Sequence, residues 1–422
     1  MANPQSTYST SYGSINKLDV DVEEHIDGYD GLRLLYRRYS PTPSSPRVAS
    51  VVLIHGFGEH GGRFSHVAAA LVSQGCVVHT IDLRGHGYSG GPRADGKIAW
   101  MLEDIRIVHR RANENLPLFF YGHSMGGMLV IRYLQTYPNL PVAGAIITSP
   151  LLRLHSRIPL PSWKKWALGA AAPVFGEFLI GSNVDPCSLS SDAQEIDKVF
   201  NDRLALPFMT VRFAHEMLVA ADAALAGAPE FAYPVILVHG ENDTITDPGA
   251  SAEFAAMVER AHAQAHIIPG GKHELHNDVQ FQQLQDLVFA WVADRLANPR
   301  PDPGTAKASA SRSRSRGRVS LPNPTSLGAS QAHMIAALYI VRALNTPLVG
   351  SFRIRHAVKW ALTCAWPLFF WIFLPCNVFC LLFCLLVWQP SRVPWTNADT
   401  LATLWLGPLF LTSLLVREHR TQ

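Results

Sequence analysis

Residues 119–127 read FFYGHSMGG, so one serine, Ser124, stands in a Gly-x-Ser-x-Gly pentapeptide directly after an apolar run. Glycines on both sides permit a sharp turn from a strand into a helix, which presents the serine hydroxyl in an exposed and strained position. The free N–H groups at the start of that helix would face any negative charge that develops nearby. The pattern predicts a serine nucleophile at position 124, and the alternative is an ordinary tight turn.

A serine hydroxyl is a weak nucleophile unless a neighbouring base takes its proton. Where serine is presented on such a turn, its partners follow along the chain in the order acid, then histidine. The later segment VILVHGENDTITDP offers three acids. Asp247 precedes a proline and is typical of a helix N-cap, whereas Glu241 stands too close to the end of the strand. Asp243 is therefore the predicted acid.

Two histidines follow the last strand-like run, in the segment HIIPGGKHELHND. His273 comes just after the Gly-Gly turn and is the predicted base; His276 lies three residues further on, on the same face if a helix starts here. Acyl transfer also needs N–H donors for the oxyanion. The segment HGFG after an early strand offers the N–H of Phe57, which we pair with the N–H of Met125. The alternative is that HGFG is only a turn.

The elements that must position these residues alternate along the chain between about residues 19 and 298. Six runs are short, apolar and rich in β-branched or aromatic residues: 48–55, 76–82, 116–122, 142–149, 233–240 and 264–271. Such runs are typical of strands buried on both faces of a parallel sheet. Helix-like stretches separate them, so an α/β domain with a mostly parallel sheet flanked by helices is predicted. Residues 151–232 break the alternation and predict a helical insertion over one end of the sheet, with no clear strand.

Five motifs together resemble the α/β-hydrolase superfamily and, within it, the monoacylglycerol lipase family, also called the serine aminopeptidase S33 or hydrolase-4 group. They are HGFGEHGGRF (55–64), DLRGHGYSGGPR (82–93), GHSMGG (122–127), HGENDTITDP (239–248) and GGKHELHND (270–278). The resemblance covers about residues 20–298. It implies an α/β-hydrolase fold in which the insertion is a mobile cap that shapes an acyl tunnel and docks on membranes.

The resemblance also implies roles for individual residues. Ser124, Asp243 and His273 would form the catalytic triad, and the N–H groups of Phe57 and Met125 the oxyanion hole. The residues expected to hold a glycerol headgroup are Glu59, Arg63 and His276. Candidate tunnel residues in the cap are Trp163, Trp166, Phe175 and Phe178, although packing of amphipathic helices explains them almost as well.

The implied activity is hydrolysis of a lipid carboxylic ester, first of all monoacylglycerol, through an acyl-enzyme on Ser124 and without metal or cofactor. Lysophospholipase or acyltransferase activity would use the same triad and stays open. A non-catalytic lipid-binding scaffold is the alternative of another class. The net charge of +3 is too small to argue for a nucleic-acid partner.

The chain continues far beyond this domain. Residues 1–18 are rich in Ser, Thr and Tyr and are predicted to be a disordered leader. They contain no apolar segment such as a signal peptide has, so a signal peptide is not expected. Residues 299–332 form a linker dominated by Pro, Gly, Ser and Arg. Its alternating arginines are compatible with RNA binding, but a tether beside an anionic membrane is favoured because apolar runs follow.

Those runs, 361–388 and 401–416, lie in the C-terminal region 333–422. The first has no charged residue and exceeds the roughly 20 residues that a bilayer crossing needs, and the second is at the lower limit. Basic residues outside the pair outnumber the single arginine between them, so two crossings with the catalytic domain in the cytosol are predicted. The alternatives are a hairpin embedded in one monolayer, as on a lipid droplet, and a helical pair packed on the domain. The endoplasmic reticulum and the lipid droplet are the candidate locations. Four of six cysteines lie in the first run, so no disulfide framework is expected.

Overall fold

The computed structural model describes residues 20–299, apart from 113–114, 159 and 260–261. The predicted leader, all but the first residue of the linker, and the C-terminal apolar runs lie outside the described residues. Within the described part, no helix combines the length and apolar character that a membrane crossing requires.

The strands form a large sheet and a small one. They are β1 (Val22–Asp27), β2 (Arg33–Tyr39), β3 (Ala49–Ile54), β4 (Cys76–Ile81), β5 (Leu118–His123), β6 (Gly144–Thr148), β7 (Leu179–Gly181), β8 (Phe208–Thr210), β9 (Val235–Gly240) and β10 (Ala263–Ile268). The large sheet has the order β1-β2-β4-β3-β5-β6-β9-β10. Pairs β1–β2 and β2–β4 are antiparallel and the others are parallel, which confirms the predicted α/β class with a mostly parallel sheet.

Helices cover both faces of this sheet. They are α1 (Ser65–Ser73), α2 (Ile98–Ala112), α3 (Met125–Thr136), α4 (Ser162–Phe175), α5 (Ala193–Asn201), α6 (Val211–Ala226), α7 (Pro248–Met257) and α8 (Phe281–Ala297). One apolar core contains residues of α2, α3, α6 and α7, and a second core contains residues of α1 and α8. Every residue of β3, β5 and β9 is buried, which explains why their sequences are continuous apolar runs.

All six predicted strands are present, with ends that differ from the predicted ones by up to three residues. The sequence did not indicate β1 and β2, because their sequences VEEHID and RLLYRRY carry charges and their antiparallel pair stands at one edge. Region 151–232 contains α4, α5 and α6 as expected, but also the paired strands β7 and β8. Each is three residues long, too short to leave a periodic signal.

The carboxyl ends of β3, β5, β9 and β10 carry the loops with the candidate residues. The chain leaves β3 for β4 on one side and returns to β5 on the other, which opens a crevice at this end of the sheet. The insertion between β6 and β9 covers the same end. Leu206 N donates to Gly58 O at 2.9 Å, and Glu274 N donates to Leu189 O at 2.8 Å. The insertion therefore touches both the loop after β3 and the loop after β10.

Candidate active site

Ser124 stands on a strained turn between β5 and α3. Its backbone has φ 53° and ψ −118°, a region that non-glycine residues rarely occupy. The neighbouring glycines allow the chain to come this close: a Cβ on Gly126 would lie 2.2 Å from Ile54 O, and one on Gly122 would lie 2.6 Å from Gly126 O. Ser124 is partly exposed although the residues on both sides are buried. The turn thus presents one hydroxyl at the crevice.

Three side chains from three different loops form a continuous line at this point. His273 Nε2 lies 3.0 Å from Ser124 Oγ. His273 Nδ1 lies 2.6 Å from Asp243 Oδ2 on the other side of the ring. Because a carboxylate only accepts hydrogen bonds, Nδ1 carries the proton in the neutral ring and Nε2 is free to accept one. The structure therefore brings together the predicted nucleophile, base and acid in the geometry that proton transfer needs.

The Asp243 carboxylate is held by more donors than the sequence indicated. Its Oδ1 accepts the N–H groups of Ile245 at 2.7 Å and Thr246 at 3.0 Å. Its Oδ2 accepts the Thr246 hydroxyl at 2.8 Å and lies 3.0 Å from His239 Nε2. We did not predict roles for His239 or Thr246. Both belong to the quoted motif HGENDTITDP, but His239 looked like one more residue of a buried strand.

These contacts lower the pKa of Asp243 and raise the pKa of His273. Burial alone would raise the pKa of Asp243, but His273 and the hydrogen bond from His239 outweigh it and hold that pKa far below its ordinary value. Burial would likewise lower the pKa of His273, but the Asp243 carboxylate outweighs it and raises that pKa above the ordinary 6.5. The site therefore keeps the acid ionised and favours a proton on the base.

The candidate oxyanion donors flank Ser124. Met125 is the first residue of α3, and the first N–H groups of a helix have no partner inside it. The loop with Phe57 is fixed by Glu59, whose Oε1 accepts the N–H of Gly56 at 2.6 Å. A Cβ on Gly56 would lie 3.1 Å from Ser124 Cβ, so this loop passes directly beside the serine. The N–H groups of Met125 and Phe57 thus belong to backbone segments beside Ser124.

Two of the predicted headgroup residues belong to a buried charged cluster behind this loop. Arg63 donates from one terminal nitrogen to Glu274 Oε2 at 2.6 Å, and its Nε lies 3.4 Å from Glu59 Oε2. Glu274, which directly follows the predicted base, was not among the candidates. Burial and the charge of Glu274 raise the pKa of Glu59 to about 8. Burial opposes ionisation of Glu274 as well, but Arg63 outweighs it and lowers the pKa of Glu274.

The third headgroup candidate, His276, has no exposed surface. Its ring stacks on Phe64 with centroids 4.4 Å apart and meets the edge of His123 at 4.6 Å. Burial and the neighbouring cationic groups hold the pKa of His276 well below 6.5, so the ring is neutral. Direct contact with a headgroup would require Phe64 or His123 to move.

The aromatic residues proposed for an acyl tunnel do not form an enclosed lining. Trp163 is 56% exposed, Trp166 73% and Phe178 58%, so these three lie at the outer surface of the insertion. Phe175 is partly buried against Phe178, with ring centroids 5.7 Å apart. The sequence pattern could not distinguish the inner from the outer face, because in α4, which carries three of these residues, only Ala171 is buried.

Among the residues that the structure describes, no group of three or more His, Cys, Asp or Glu is placed to hold a metal ion. The expectation that the reaction uses neither metal nor cofactor stays a prediction. What the described residues offer is a hydroxyl, a base oriented by an acid, and backbone donors for an oxyanion. Together these groups are suited to acyl transfer.

A mostly parallel sheet, a serine on the turn after β5, an acid after β9 and a histidine after β10 define the α/β-hydrolase class. Residues 45–280 match the Hydrolase_4 family, described as serine aminopeptidase, S33. The chain belongs to this family.

Relatives with similar sequences include lipases. The chain is 29% identical over 285 residues to a monoacylglycerol lipase of Mycolicibacterium smegmatis, covering 65% of this chain and 98% of that protein. It is 31% identical over 262 residues to an uncharacterised abhydrolase domain-containing protein of Dictyostelium discoideum, with 61% of this chain but only 28% of that longer protein covered.

The solved structures with the same fold include a soluble variant of the Saccharomyces cerevisiae monoglyceride lipase in complex with a substrate analogue. The TM-score is 0.59 and the sequences are 22% identical, over 70% of this chain and 98% of that chain. At this level of identity the similarity shows the shared fold.

Proposed function

We propose that the protein is a serine hydrolase that cleaves monoacylglycerols into glycerol and a fatty acid. The observation that carries the proposal is the line of contacts from Ser124 through His273 to Asp243, with distances of 3.0 and 2.6 Å, on a strained turn. The similarity to a monoacylglycerol lipase over 98% of that protein's length supports the choice of substrate.

In the first half of the reaction, Ser124 Oγ attacks the ester carbonyl while His273 Nε2 takes its proton. Asp243 accepts the Nδ1–H and stabilises the imidazolium that forms. The carbonyl oxygen becomes negatively charged and would be received by the N–H groups of Met125 and Phe57. His273 then gives the proton to the leaving glycerol oxygen, and an acyl-enzyme remains on Ser124.

In the second half, His273 takes a proton from a water molecule that attacks the acyl carbonyl, and the fatty acid leaves as Ser124 recovers its proton. An alcohol in place of that water would give acyl transfer instead. The similarity to a monoacylglycerol lipase supports water as the acceptor. The match of Glu59 and Arg63 to the family's glycerol positions supports a glycerol ester as the substrate.

We assign Glu59 and Arg63 to support of the headgroup region. Glu59 is buried and Arg63 partly buried, with Glu59 bonded to Gly56 N and Arg63 paired with Glu274, so their first effect is to hold the loop beside Ser124 in place. Any contribution of His276 passes through its packing on Phe64 and His123, because the ring is covered.

The test compares purified full-length protein with its Ser124→Ala variant on monoacylglycerols, lysophospholipids and short-chain esters. We expect fast fatty-acid release from monoacylglycerol and a loss of about a thousandfold or more in the variant, because the variant retains only binding and oxyanion stabilisation. If fatty acid is released from lysophospholipid alone, the protein is still a serine hydrolase, but monoacylglycerol is not its substrate. Equal rates for the two proteins on every ester would reject Ser124 as the nucleophile.

We further propose that the protein is attached to a membrane or lipid-droplet surface with this domain in the cytosol. The two apolar runs near the C-terminus support this location. So does the outer surface of the insertion, where Trp163, Trp166 and Phe178 are exposed and two partly exposed lysines stand between the tryptophans in the sequence. Exposed aromatic and basic side chains together favour contact with an anionic interface.

A further inference from the structure

Asp243 lies between two histidines, only one of which the proposed reaction uses. His273 meets Oδ2 at 2.6 Å and reaches Ser124 with its other nitrogen. His239 Nε2 lies 3.0 Å from the same oxygen, and its Nδ1 lies 2.8 Å from Ser251 Oγ in α7. The contacts therefore form a chain of Ser, His, Asp, His and Ser, with Asp243 at its centre.

The tautomer of His239 follows from its partners. A carboxylate cannot donate, so the proton of the neutral ring lies on Nε2 and points at Asp243. Nδ1 then has a lone pair, which the hydroxyl of Ser251 can satisfy as donor. His239 and Asp243 are both fully buried, so water does not compete for these bonds. Ser251 thus fixes the ring of His239 in the form that donates to the acid.

We propose that His239, held by Ser251, is a positioning residue that withdraws charge from Asp243 and so sets the proton affinity of His273. This inference rests on the proposed catalytic role of His273. Asp243 does not need His239 to stay in place, because Ile245 N and the N–H and hydroxyl of Thr246 also hold it. What His239 adds is a dipole aimed at the carboxylate, which weakens the attraction between Asp243 and a protonated His273.

Besides Asp243, other charged and titratable groups face His273, and His239 is hydrogen-bonded to none of them. They are Glu59 from the loop after β3, His123 from β5, and Glu274 and His276 from the loop after β10, with Arg63 paired to both acids. A change at His239 therefore alters one contribution to the proton affinity of His273.

The sign of the effect follows directly. The free enzyme needs neutral His273, so kcat/KM falls as the pH falls through the pKa of this residue. Without the His239 donor, Asp243 attracts the imidazolium more strongly and the pKa of His273 rises. The acid limb of the pH profile should then move to higher pH, by about one unit.

The test measures pH profiles of kcat/KM for monoacylglycerol, and of the rate of Ser124 labelling by a fluorophosphonate, on the full-length protein. For His239→Leu we expect the acid limb to move to higher pH by about one pH unit. The rate should then be about tenfold lower on the acid limb and approach that of wild type on the alkaline side of it. His239→Gln, whose amide N–H can replace Nε2–H, should restore most of the original profile.

A matched control is His109→Leu, which removes another buried histidine that is bonded to a hydroxyl, that of Tyr133 at 2.8 Å. It should leave the acid limb unchanged. If His239→Leu does not fold, Ser251→Ala tests the same point. The acid limb should then move to higher pH by less than one unit, because the Nε2–H donor of His239 is kept but is less strongly polarised.

An equal loss of rate at every pH in His239→Leu, or an unchanged acid limb in folded His239 and Ser251 variants, would overturn the inference. The labelling rate separates this outcome from failure of the proposed function. A protein that labels at Ser124 but does not hydrolyse monoacylglycerol would refute the substrate, while the shift in the labelling profile would still decide the role of His239.

Discussion

At the scale of single residues, the site combines groups whose ordinary properties are changed by neighbours. Ser124 is held at φ 53°, Asp243 is kept ionised in a buried position, and His273 is made more basic by that acid. Each change has a structural cost, because strained backbone and buried charge both lower stability. These costs are concentrated at the residues to which we assign the chemistry.

The strain at Ser124 can be measured with two variants that both lack the hydroxyl. Ser124→Gly relieves the positive φ because glycine lacks Cβ, whereas Ser124→Ala keeps it. We expect the glycine variant to be more stable than the alanine variant by about 1–2 kcal/mol in denaturant unfolding. Equal stability of the two variants would mean that the turn stores little strain.

At the scale of elements, the insertion and the loop after β3 are joined through backbone contacts. Leu206 N donates to Gly58 O, and Gly58 has φ +75°. A Cβ at this position would lie 2.8 Å from Leu206 O, so no side chain fits without displacing one of the two segments. The position of the Phe57 N–H therefore depends on the place of the insertion.

This coupling predicts an unequal effect of two similar substitutions. Gly58→Ala should lower kcat/KM by about a hundredfold, because displacement of the loop by about 1 Å moves an oxyanion donor. Gly31→Ala is the matched control: Gly31 has φ +80° but nothing lies within 4 Å of its added Cβ. The control should lose about 1 kcal/mol of stability and keep its activity. Similar kinetics of the two variants would show that the contact with Leu206 does not control the loop.

At the scale of the whole molecule, a catalytic domain within residues 20–299 is followed by more than a hundred residues that include two apolar runs. Monoacylglycerols are poorly soluble and collect in membranes and droplets. Attachment would bring the domain to a high local concentration of substrate, which is the physical advantage we assign to the C-terminal region.

The location is tested by fractionating cells that express the full chain or a chain ended at residue 299. We expect the full chain to remain with membranes in alkaline carbonate, and the shorter chain to be released or to bind weakly. Protease added to intact vesicles should cut the linker and free the domain if it faces the cytosol. Release of the full chain from membranes by alkaline carbonate would contradict insertion into the bilayer.

The α/β fold could be predicted from the sequence because its evidence is local. The buried strands β3, β5 and β9 are continuous apolar runs, and parallel sheets buried on both faces leave this signal. The edge strand β1 and its neighbour β2 carry charged residues among their apolar ones, so no such signal exists for them. The short pair β7–β8 is defined by its pairing alone.

For the site, the candidate residues could be found from the sequence, because Ser124, Asp243 and His273 each follow a recognisable strand and turn. The arrangement of their surroundings became visible only in the folded chain. His239 meets Asp243 from within β9, Glu274 shares Arg63 with Glu59, and His276 is covered by Phe64. These contacts depend on the direction of side chains and on how loops from different strands pack. Contacts between residues far apart in the chain leave no pattern in the linear sequence.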